Sequence, residues 1–145
     1  MHNIGNIALN ISVATYLLYF LPQLIHNARR GKTKHLSWGL HLLYICGMSC
    51  DLVYGFGNNL AIQYRLVTIV GLFCLVIQHL QLCRHKDDGL AASAIAIILY
   101  SAAILCVSLH IKLSNHSYNL IGLASQFCWW TAFIPQIIKI FLKFS

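Results

Sequence analysis

The chain has 145 residues, of which 59% are hydrophobic and only 9% charged, and its mean hydropathy is +0.70. Soluble domains carry roughly a quarter charged residues, so this chain has too little polar surface to cover itself in water, and lipid is its expected solvent. The net charge of +7 does not point to nucleic acid, because the lysines and arginines fall in short loops between apolar runs and build no basic face.

A spanning helix needs about 20 mostly apolar residues. Five stretches qualify, over 4–25, 36–56, 60–83, 90–111 and 119–143. The first lacks the preceding positive charge and the small-residue cleavage site of a signal peptide, so it reads as a span. The breaks read "HNARRGKTKH", "GNN", "CRHKDDG" and "KLSNHSYN", each rich in Gly, Asn or charge as a turn should be. Arg29, Arg30, Lys32, Lys34, Arg84, Lys86, Lys139 and Lys143 fall on one side if the helices alternate, against Arg65 and Lys112 on the other. Positive loops stay in the cytoplasm, which predicts a cytoplasmic C-terminus and an N-terminus outside or in a lumen. In a bacterium the membrane would be the inner one. The sequon Asn115-His116-Ser117 lies in an outer loop expected to be too short for glycosylation.

Moving the sequence by 113 positions superposes Phe20-Leu21-Pro22-Gln23-Leu24-Ile25 on Phe133-Ile134-Pro135-Gln136-Ile137-Ile138. Ser12 then falls on Ser125 and Tyr16 on Trp129. Proline has no N–H and clashes with the carbonyl four residues back, so Pro22 frees the carbonyl of Leu18 and Pro135 that of Thr131. Each Pro-Gln pair therefore marks either a hinge, with Gln23 or Gln136 bonding across the bundle, or a static kink. Internal repeats with Pro-interrupted helices are a transporter signature.

Together with the basic loop "KTKHLS", the Tyr54-Gly55 pair ending the second run and Gly71 in the third, these residues resemble the PQ-loop repeat of the SWEET and SemiSWEET sugar transporters. Cystinosin-like amino-acid exporters and KDEL receptors share that superfamily. The resemblance implies an all-α membrane protein: a three-helix bundle over 1–86, a linker helix over 87–117, and the first helix of a second repeat over 118–145. Full-size relatives have three helices, a linker and three more, whereas half-size relatives pair as homodimers. Three, one and one fits neither, so the expectation is a second copy completing the pathway, a piece of a seven-helix protein, or a chain that no longer transports.

Asp51 is the only acid away from the loops, and a charge at membrane depth faces a cavity or a partner. It corresponds by resemblance to a substrate or coupling-ion position, and it equally suits an ion pair with Arg65. Tyr54, one turn on, would join Arg65 and Asp51 at an outer gate. Thr68 stands where relatives often carry a substrate-facing asparagine. Asn10, Ser12 and Gln126 add polarity to the spans, and Trp129 is a candidate for stacking on substrate, although mid-membrane aromatics such as Trp129 and Trp130 more often pack. Gly39, Gly47 and Gly71 would permit close helix approach.

Cys46, Cys50, Cys74, Cys83, Cys106 and Cys128 all lie in or beside apolar runs, which suits packing. His41, Met48 and His79 sit near some of them, but no spacing matches a metal site. No cofactor is implied, and no nucleophile–base pair or carboxylate dyad argues for an enzyme. The expected function is alternating-access movement of a small polar solute, sugar or amino acid, with Asp51 allowing proton coupling. The competing reading is a non-transporting receptor or interaction protein on the same scaffold.

Overall fold

Apolar runs separated by short polar breaks become helices, since in lipid each backbone N–H and C=O has to be satisfied within its own segment. The computed structural model describes residues 2–30, 37–85 and 89–144, and their side chains except at 2–4, 17, 30, 85, 136, 139, 140, 143 and 144. The helices are α1 (His2–Arg30), α2 (Trp38–Gly57), α3 (Ile62–His85), α4 (Leu90–Ser108), α5 (Asn115–Thr131) and α6 (Ile134–Phe144). No strand occurs among the described residues. Within α1 to α4, four segments are long and apolar enough to cross a membrane: Gly5–Arg29, Trp38–Gly57, Ile62–Arg84 and Leu90–Ser108.

The fifth expected span is not one helix. It starts earlier, at Asn115, because Ser114 caps it by accepting the Ser117 N–H at 3.1 Å. It then breaks at 132–133 and resumes as α6. Thr131 Oγ1 donates to the Phe127 carbonyl at 2.7 Å, so the side chain competes with the ladder at the turn that Pro135 already deprives of a donor. Pro135 occupies the first turn of α6, where a missing N–H costs nothing. Pro22 differs, for α1 runs through it without interruption to Arg30.

α2 is the central element. It packs on α3, α4, α5 and α6, while α1 packs on α3. The core it anchors includes Ile45, Met48 and Leu52 of α2, Leu72 and Leu75 of α3, and Ala96 and Ala103 of α4. A Cβ on Gly39 would lie 2.9 Å from Pro135 and one on Gly71 2.5 Å from Met48, so both positions let a neighbour come closer than alanine allows. Outward faces carry Ile7, Ile11, Leu18, Ile97, Ile98, Phe127 and Trp130, an apolar exterior suited to lipid. Two ends follow from this arrangement. The turn end holds the α2–α3 and α4–α5 connections, and the Pro-Gln end holds the start of α2, the end of α3 and the start of α4.

Candidate functional site

Asp51 lies half-buried on α2, where an isolated carboxylate would be costly. Three donors surround it. Oδ1 accepts from Tyr64 Oη at 2.8 Å and from Ser125 Oγ at 2.6 Å, and Oδ2 accepts from Trp129 Nε1 at 2.9 Å. Ser125 and Trp129 are one turn apart on α5 and so share the face turned to α2. Gly47, one turn before Asp51, lets that face approach, since a Cβ there would stand 3.3 Å from Cys128 and 3.4 Å from the Trp129 nitrogen. The carboxylate thus clasps α2, α3 and α5 together. Charge-assisted bonds of this kind are about twice as strong as neutral ones.

The clasp forms one wall of a cavity of about 360 Å³, whose other walls include Tyr54, Asn119, Gly122 and Gln126. Two amides, two phenols and a carboxylate around one recess suit a small solute with several hydroxyl or amino groups. Behind Trp129 lies a second recess of about 500 Å³, between α1, α2 and α5, lined by Ser12, Thr15, Tyr16, Tyr44 and Phe133. The Trp129 ring divides the two, edge to Asp51 and ring centre 5.2 Å from that of Tyr44. A third recess, of about 540 Å³, opens at the turn end beside Arg65.

The family model of the PQ loop repeat matches residues 4–64, spanning α1, α2 and the start of α3. This chain carries a PQ-loop repeat. No curated protein and no solved structure gives a match. The matched repeat contains Pro22-Gln23, Asp51 and Tyr64, while Ser125 and Trp129 come from beyond it. With four helices long and apolar enough to cross a membrane, the chain is a multi-pass membrane protein.

Other expected site residues are dispersed around the helix bundle. Asp51, Tyr54, Gln126 and Trp129 share the first cavity, and Ser12 lines the second. Arg65 does not pair with Asp51; among the described residues its guanidinium carbon sits over the Phe56 ring, 5.5 Å from the centroid. Consecutive helical residues point about 100° apart, so the turn that aims Tyr64 at Asp51 aims Arg65 away. Tyr54, Arg65 and Asp51 therefore do not converge on one gate. Thr68 is buried with its hydroxyl donating to the Arg65 carbonyl at 2.8 Å, and it lines none of the three recesses. Ser12 likewise donates to its own helix, at Ala8, and Asn10 accepts a long bond from Gln63 at 3.4 Å.

Gln23 bonds Asn27 of its own helix at 3.1 Å rather than reaching across the bundle. The side chains of Gln136, Arg30, Lys139 and Lys143 lie outside the described residues, as do Lys32, Lys34 and Lys86 entirely.

Sequence reasoning passed over Tyr64 and Asn119. Tyr64 follows Asp51 by 13 residues across a short turn, a spacing that sets the two opposite each other in an antiparallel helix pair. At the Pro-Gln end, His41 Nε2 and His79 Nδ1 are 3.1 Å apart with stacked rings, and His79 Nε2 is 3.2 Å from Ser93 Oγ, which meets Cys83 Sγ at 3.2 Å. This hydrogen-bonded chain ties α2, α3 and α4. No group of three or more His, Cys, Asp or Glu residues among those described converges as a metal site.

Proposed function

We propose that this PQ-loop protein moves a small polar solute, a sugar or an amino acid, across its membrane by alternating access. The observation that carries the reading is the Asp51 clasp: the one intramembrane acid holds α5 against α2 and α3 at the wall of a polar cavity. Protonation of that carboxylate would strip the charge assistance from all three bonds and put a hydrogen on one of the two accepting oxygens, loosening α5 from α2. Solute amino or hydroxyl groups would compete for the same oxygens with the same effect. Either event opens a path past Trp129, between the first and second recesses. The break at 132–133 lets α5 move without dragging α6, which stays seated on Gly39 through Pro135. In this reading Pro135 is the hinge of the pair and a second copy of the chain completes the pathway.

The test is uptake into proteoliposomes of the full chain across a panel of labelled sugars and amino acids. Asp51→Asn is expected to abolish uptake, or its pH dependence, while Asp51→Glu retains part of it. Unchanged uptake in Asp51→Asn would sink the clasp mechanism. Saturable solute binding with no flux in the wild-type chain would select the receptor reading instead.

A further inference from the structure

The sequence holds three acidic residues, Asp51, Asp87 and Asp88. Asp51 is engaged by its three donors, and Asp87 and Asp88 fall in the sequence between α3 and α4, outside the described residues. The turn end nevertheless carries Arg65, His110 and Lys112 around one recess of about 540 Å³. Among the described residues no carboxylate lines it to balance Arg65 and Lys112.

An arginine one turn into a spanning helix ordinarily extends its head toward the headgroups. Arg65 turns inward instead. Its guanidinium rests on the Phe56 face, and its Nε is buried with no hydrogen-bond partner. A buried charged donor left unpaired is unfavourable, so the arrangement favours an occupant bearing acceptor oxygens.

Cations near helix C-termini often serve only to cap the last carbonyls. Here those carbonyls already have donors. At the end of α2, Tyr54, Phe56 and Gly55 accept from the backbone of Asn58, Asn59 and Leu60. At the end of α4, Leu105, Val107 and Cys106 accept from Leu109, His110 and Ile111. Asn59 and His110 both adopt left-handed backbone, with φ of 49° and 48°, to close these turns, and both line the recess. The Tyr118 hydroxyl fixes the rim, donating to the Ile111 carbonyl and accepting the Leu113 N–H. Gly57 lets the Tyr118 ring form the floor. The recess is preshaped, and while the His110 ring spends its Nδ1–H on the Ser108 carbonyl at 3.1 Å, Arg65 and Lys112 cap no carbonyl among the described residues.

We propose that this recess is an anion site that takes a phosphate group, with Arg65 as the principal contact and Lys112 as the second. The guanidinium fork matches phosphate oxygens. The phosphate comes either from a lipid headgroup entering at the turn end or from a free solute, and the site is independent of whether the chain transports.

The experiment uses the full chain in a maltoside detergent, which contains no phosphate. Binding is read as a thermal shift, with inorganic phosphate compared with chloride at matched ionic strength, and in a separate arm with phosphatidylglycerol added to the micelles. At least one arm is expected to stabilise the wild type, the phosphate arm identifying a free anion and the lipid arm alone a headgroup. Arg65→Gln is expected to weaken apparent affinity by about tenfold or more, Lys112→Gln by less, and Arg84→Gln, at the other end, not at all. Stabilisation in neither arm, or equal stabilisation in Arg65→Gln, overturns the proposal. If Arg65→Gln does not fold, Arg65→Lys and Lys112→Gln decide: unchanged affinity in both overturns it, and a loss in either supports it.

Discussion

Ser125 donates the shortest of the three bonds to Asp51 and is fully buried, whereas its repeat partner Ser12 is exposed and bonds only to its own helix. Equivalent positions in a repeat therefore have unequal energetics. Ser125→Ala is expected to destabilise the chain by about 1.5–3 kcal/mol, the usual range for a hydrogen bond to a charged group, and Ser12→Ala by less than about 0.5 kcal/mol. Thermal unfolding of both variants in one detergent checks this, and equal losses would count against the clasp. Asp51 stood out in the sequence because acids are expensive in lipid. Ser125 stood out only as a repeat partner, and Trp129 as a repeat partner and a candidate for stacking on substrate. Their meeting with Asp51, 74 and 78 residues away, depends on how α5 docks against α2, and no local pattern encodes that.

The two proline helices show how far an element can be read from its residues. Hydropathy places α1 to α4 well, because length and apolar content decide spanning. The local fate of each Pro-Gln pair was not legible from the proline, which both helices share. Leu18 precedes Pro22 by four residues, and Thr131 precedes Pro135 by four. Only threonine can return a hydroxyl to the carbonyls of the preceding turn, and it does so to Phe127 and Cys128. Thr131→Leu, which copies the first repeat into the second, is therefore expected to shift the broken span toward a continuous helix. Spin labels at positions 123 and 142 would then report a separation near 28 Å, from a rise of 1.5 Å per residue, in a larger share of molecules than in the wild type. An unchanged distance distribution would place the cause of the break in Pro135 and its seat on Gly39 rather than in the hydroxyl.

For the molecule as a whole, charge sets the orientation with which both the clasp and the Arg65 recess have to be read. Eight of the ten lysines and arginines belong to the Pro-Gln end and its connections, and Arg65 and Lys112 to the turn end. Lysine and arginine in short loops hold those loops in the cytoplasm. The turn end should then face the exterior or a lumen, and a phosphate bound by Arg65 would come from that side or from the outer leaflet. In a cysteine-free background, Asn59→Cys should react with a membrane-impermeant maleimide on intact cells, and Lys32→Cys only after permeabilisation. The opposite pattern would reverse the orientation and put the Arg65 recess on the cytoplasmic side. Asn59 lines that recess, so the same label also reports on its occupant. Protection of Asn59→Cys by phosphate or by anionic lipid, lost in Arg65→Gln, would locate the anion and the membrane side together, because a bound oxyanion excludes the reagent from the space it fills.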